Sequence, residues 1–159
     1  AQRAGFAAQS LAQRTASGDP LAAQLLALIS ALSRIVLFRF TTEQYREMPD
    51  VLPRAEVFIR LMQQRGAQLC GTIGTQWELS GASLRALKEQ SDECSPPAMS
   101  PLGQTLYFAE LCGALAIAVA HSRYSAEGAA AILRSQGLEG ETLVAAWEAA
   151  QQSAPARKS

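Results

Sequence analysis

The residues able to do chemistry in this chain are few. One histidine, His121, stands in AVAHSRY, and three cysteines, Cys70, Cys94 and Cys112, lie far apart. A catalytic metal needs several His, Cys, Asp or Glu ligands in register, and His121 has neither an HExxH nor an HxxE neighbour. Its place at the end of an apolar run points to the last turn of a helix, where the macrodipole favours a cationic side chain. The cysteines are odd in number and lack CxxC spacing, so neither a zinc cluster nor a disulfide framework can be read from them. Three small buried hydrophobes are expected, with a Cys70–Cys94 disulfide in an exported chain as the alternative. Cys112 stands nine residues before His121 and does not closely share its helix face, so a Cys/His nucleophile would have to be assembled by the fold. The glycines of GTIG (71–74) have no Lys-Ser/Thr after them and no strand before, unlike a phosphate loop. Glu110 interrupts an apolar helical run, and an ion pair with Arg34 or Arg39 is its expected state, with a functional carboxylate as the alternative. No catalytic residue, metal site or cofactor follows, and a non-enzymatic chain is expected.

The elements around these residues read as helices. The chain has 159 residues, 48% of them hydrophobic and only 6% aromatic, with Ala, Leu and Gln dominant. That balance favours helix over strand and suffices for one core. The expected fold is all-α, a single-domain bundle of six to seven helices over 1–152 followed by a disordered tail, 153–159. Residues 1–18 are Ala/Gln-rich with sparse apolar points at Phe6 and Leu11 and yield no firm element. Asp19 and Pro20 make a helix start. The helix from 20 to 37 is apolar on nearly all sides and is expected in the middle of the core. Thr41 or Thr42, followed by Glu and Gln, then resembles a capping box in a polar stretch.

A helix is expected over 54–70, with Val57, Ile59, Leu61, Met62 and Leu69 inward and Arg54, Arg60, Gln63, Gln64 and Arg65 outward. GTIGTQWELS (71–80) reads as a loop or weak helix ending at Leu79. Ser80 caps a short helix over 81–91, with Leu84 and Leu87 on one face and Arg85, Lys88, Glu89 and Gln90 on the other. The prolines of SPPAMSP (95–101) end it. The most apolar helix (103–122) follows, then 125–137, stopped by Gly137, and 140–152.

Lys plus Arg and Asp plus Glu both total 14, so the chain as a whole has no basic footprint for nucleic acid, unless a partner supplies one. The run 106–120 is shorter than the roughly 20 residues of a bilayer crossing and contains Glu110, and 21–38 contains Gln24 and Arg34; no membrane span is expected. A soluble, cytoplasmic chain is expected. Because it starts at Ala1 without Met, a processed periplasmic or secreted product is the alternative.

One pair of elements stands out. A helix over 54–70, a Gly-containing joint and a short helix capped by Ser80 have the outline of a helix-turn-helix. The words RLMQQRGAQL (60–69), WELSGASLRALKE (77–89), SPPAMSP and LVAAWEAAQQ (143–152) also resemble FlhC, the C subunit of the bacterial flagellar master activator, and its relatives that switch on conjugative elements. The resemblance covers residues 55–150 and rests on Gly66, Ala67, Leu69, Leu79, Ser80, Leu84, Leu87, Lys88, Glu89, Pro96, Pro97, Met99, Pro101, Ala146 and Trp147. It implies a DNA-binding transcriptional regulator acting with a partner subunit or as an oligomer. Arg85 and Lys88 would then face DNA, with Arg60 and Arg65 near its phosphates. The family's four-cysteine zinc site has no counterpart here, so zinc is not carried over. The alternative is a helical protein-interaction module without a DNA role, exported or not, whose unusually apolar 103–122 helix buries its excess surface against a protein partner or in an oligomer. No small-molecule ligand is expected.

Overall fold

The computed structural model describes residues 1–15, 19–92 and 94–152. They form seven α-helices: α1 (Gln2–Thr15), α2 (Pro20–Glu47), α3 (Ala55–Gln76), α4 (Gly81–Ser91), α5 (Pro101–Ala120), α6 (Ala126–Ser135) and α7 (Gly140–Gln152), with a 3₁₀ turn at Pro96–Ala98 between α4 and α5. No strand occurs among the described residues, and the all-α class stands. The expected tail, 153–159, lies outside the described residues, as does 16–18 of the break before α2.

The helix starts follow local chemistry. Asp19 accepts from the Leu21 N–H at 2.9 Å ahead of Pro20, and Ser80, Ser100 and Ser125 each accept from the N–H three residues on. These bonds satisfy donors that the first helical turn leaves orphaned. Gly137, at φ 94°, takes the left-handed conformation that stops α6.

α5 is the axis of the bundle. It packs against α1, α4 and α7 and, less extensively, α2 and α6. Small residues make this possible: a Cβ added at Gly113 would meet the Ala4 Cβ and backbone N at 3.0 Å, so α1 lies almost backbone to backbone on α5. The Ala-rich segment at the start is thus a core helix, with Ala4, Ala7, Ala8, Leu11 and Ala12 buried. Arg3 fastens it by donating to the carbonyls of Ala116 on α5 and Ala150 on α7, both at 3.4 Å.

Several boundaries depart from the sequence reading. α2 does not end near 37; Thr41 and Thr42 donate to the carbonyls of Leu37 and Phe38, both at 2.8 Å, as mid-helix threonines do, and form no capping box. Phe58 of α3 holds these extra turns, with ring centroids 5.5 Å from Phe38 and 5.3 Å from Tyr45. α3 likewise runs through GTIG to Gln76, because Gly74 lets Leu84 and Leu87 of α4 come within about 3 Å of where a side chain would start. The third correction concerns α2 as a whole. Expected in the middle of the core, it lies at the side, mainly against α1 and α3, with lesser contacts to α5 and α4.

Candidate interaction surface

α4 does not stand free. Leu87 is buried behind it, and Glu89 and Gln90, expected on the wet side, fasten the proline elbow. The Glu89 carboxylate accepts from the Ser100 hydroxyl at 2.7 Å and the Ser100 N–H at 2.9 Å, while Gln90 donates to the Gly103 carbonyl at 2.9 Å. Burial opposes ionisation of Glu89, but the Ser100 hydroxyl, the Arg85 guanidinium and the Ser100 N–H outweigh it and hold the carboxyl below its ordinary value. The ends of α4 and α5 are thereby tied at one anionic point.

The four cations singled out from the sequence are all exposed. Arg85 pairs with Glu89 at 2.8 Å, and Lys88, one turn on, has no ion pair among the described residues. Arg65 donates to Gln68 at 2.9 Å, and Arg60 lines a shallow hollow beside Glu56. Five residues apart on a helix, Arg60 and Arg65 project about 140° apart.

The ionisable inventory forms one further grouping. Glu110 is paired with Arg34, as its place in an apolar helix required, and one of its oxygens is buried without a hydrogen bond. This pair borders a cleft of about 760 Å³ between α2, α3, α4 and α5, which also reaches Cys70, Cys94 and Gln90. All three cysteines are free thiols, so the Cys70–Cys94 disulfide is not formed. Burial raises the Cys70 thiol despite hydrogen bonds with Ser33 and Ser30, and it pushes Cys112 up to about 12. Neither is a thiolate at neutral pH. His121 caps α5 in solvent, nine residues and about 13 Å along the axis from buried Cys112. Among the described residues no three His, Cys, Asp or Glu side chains are grouped to hold a metal ion.

One surface feature departs from the expectation of α2 as a core helix. Leu21, Leu25, Leu28, Leu32, Ile35 and Val36 are 69, 38, 37, 44, 50 and 48% exposed, side by side on α2. Their side of the helix has no charged residue before Arg39. Phe40 and, on α1, Phe6 are exposed as well. α1 passes close by, since a Cβ at Gly5 would lie 3.6 Å from Leu28. Buried Ala23, Leu26, Ala27, Ile29, Ser30 and Ser33 occupy the other side. The signal was present in the sequence as a four-three leucine spacing, masked by an opposite face that is also apolar. Both α2 and α5 are long and apolar enough to cross a membrane by length and composition alone; 33% of the α2 window and 50% of the α5 window are buried in the fold.

No protein-family model, curated protein or solved structure matches this chain.

Proposed function

We propose that this protein is a non-enzymatic helical interaction module that docks a protein partner through the apolar face of α2. The observation carrying this reading is the row from Leu21 to Val36, six aliphatic side chains more than a third exposed on one helix face. Apolar surface of that continuity loses free energy in water and gains it when covered. Support also comes from the Cys70 and Cys112 thiols, whose burial keeps them protonated, and from the tying of α4 to the elbow. A photo-crosslinking side chain at Leu32, used in the cells that make the protein, tests it. Protein adducts at Leu32 and none at exposed Glu127 are expected; no adduct at Leu32 would end the reading.

A second reading, a transcriptional regulator contacting DNA through α4, draws on Arg85 and Lys88, which share one exposed face one turn apart. Arg85 is partly neutralised by Glu89, which weakens the field it offers a phosphate. A duplex left unretarded at low salt, alike for wild type and Arg85→Ala/Lys88→Ala, would remove it.

A further inference from the structure

The exposed face of α2 has an internal order that selects its occupant. Leu21, Leu25, Leu28, Leu32 and Ile35 follow at intervals of four, three, four and three residues. That alternation keeps a seam on one side of a helix and lets its side chains interlock with those of a second helix. Continued by the same geometry, the seam line next meets Arg39, then Thr42, then Arg46, with Glu43 beside it. The face is therefore divided into an apolar half and a charged half, both solvent-exposed.

This division discriminates between possible pairings. In a parallel pair the seam would set Arg39 on Arg39 and Arg46 on Arg46, like charges at contact distance. An antiparallel pair centred between Leu28 and Leu32 avoids this. Leu28 then lies over the partner's Leu32, Leu25 over the partner's Ile35 and Leu21 beside the partner's Arg39, while Glu43 and Arg46 run out beyond the overlap. Arg39 arrives at the start of the partner's α2, where the exposed carboxylate of Asp19 sits. One patch serves both sides, as a twofold interface requires. A specific interface at the lower bound of about 1,200 Å² in total asks roughly 600 Å² of each copy, and exposed Phe40 extends the six-residue row toward it.

We propose that α2 pairs with α2 of a second copy of this chain, antiparallel, with the twofold axis between Leu28 and Leu32. The inference rests on α2 being a docking face and adds its occupant, direction and register. An interface of this size exchanges between monomer and dimer at micromolar protein, and the dimer fraction rises with concentration.

Sedimentation velocity across the micromolar range is the first measurement. Wild type is expected to shift from monomer to dimer, and Leu28→Glu to remain monomeric with an unchanged helical circular dichroism spectrum. Cross-linking keeps the inference falsifiable should that variant misfold. In a Cys94→Ser background, mixed Leu25→Cys and Ile35→Cys proteins are expected to form a disulfide under mild oxidation. Leu25→Cys alone is not, because its two copies would lie about 15 Å apart along the axis. Faster self-linking of Leu25→Cys overturns the antiparallel arrangement. A wild type that stays monomeric overturns self-pairing: if it then floats with phospholipid vesicles or crosslinks at Leu32 to a different protein, the face docks something other than itself, and if it does neither, the docking reading falls as well.

Discussion

By composition α2 and α5 are alike. Each contains a stretch long and apolar enough to cross a bilayer, and each has only a weak polar side. α5 nevertheless became the axis of the bundle and α2 its flank. The difference lies in how many neighbours each helix acquires. α5 is enclosed by α1, α4, α6 and α7, and its Ala109, Cys112, Gly113 and Ala116 are small enough to let them approach closely. α2 meets α1 and α3 most extensively and α5 and α4 less so, and nothing covers the exposed row Leu21, Leu25, Leu28, Leu32, Ile35 and Val36 among the described residues. An all-round apolar helix is thus central only if enough other helices exist to surround it. The chain supplies that many for one helix, and the second is left with a face to cover.

Substitutions along the two helices can break or sharpen this contrast. The largest effect is expected at Leu106 of α5, which is fully buried: Leu106→Ala should cost about 2–5 kcal/mol in the denaturant midpoint, through lost transfer energy and the cavity left behind. A loss below about 1 kcal/mol there would mean that α5 is not the core. Gly113→Ala comes next, at about 1–3 kcal/mol, because the new methyl group meets the α1 backbone, which cannot rotate away as a side chain can. Thermal melts of that variant should show α1 loosening first, as accelerated hydrogen exchange over residues 4–12.

The tie between α4 and α5 offers a smaller effect with a pH signature. The carboxyl of Glu89 titrates lower in the folded chain than in the unfolded one, so its stabilisation is complete above the ordinary carboxylate value of 4.5. It is lost as pH falls through the depressed folded value. Glu89→Gln should cost about 1–2 kcal/mol at neutral pH and flatten the acid limb of the stability curve, read from urea titrations between neutral and acid pH. The smallest change in stability is expected on the exposed face. Leu32→Ser should lie within about 0.5 kcal/mol of wild type in dilute solution, against the several lost at Leu106. If Leu32→Ser destabilises the dilute monomer as much as Leu106→Ala does, the two helices are not the different cases described here.

Much of the helical layout was legible locally. The caps at Asp19 and Ser80, the stop at Gly137, the proline elbow and an arginine partner for Glu110 all follow from residue chemistry within a turn or from the cost of an unpaired charge, while the choice of Arg34 over Arg39 was made by the fold. α1 was not legible, because alanine marks a helix without marking a side; its burial depends on Gly113, more than a hundred residues away. The extension of α2 to Glu47 depended on Phe58, and that of α3 through GTIG on Leu84 and Leu87. Glu89 was placed outside because a carboxylate on a short amphipathic helix usually is, and the elbow's Ser100 together with Arg85 makes its burial tolerable.

The sequence by itself determined that this chain is helical, where most of its helices start, and that α2 and α5 are apolar around most of their circumference. Those are matters of propensity, capping and composition, which act within a few residues. Which of the two apolar helices would be surrounded, and which would keep an open row of leucines, was decided only by tertiary structure. Burial is shared among elements far apart in sequence, and a helix cannot encode how many neighbours will reach it.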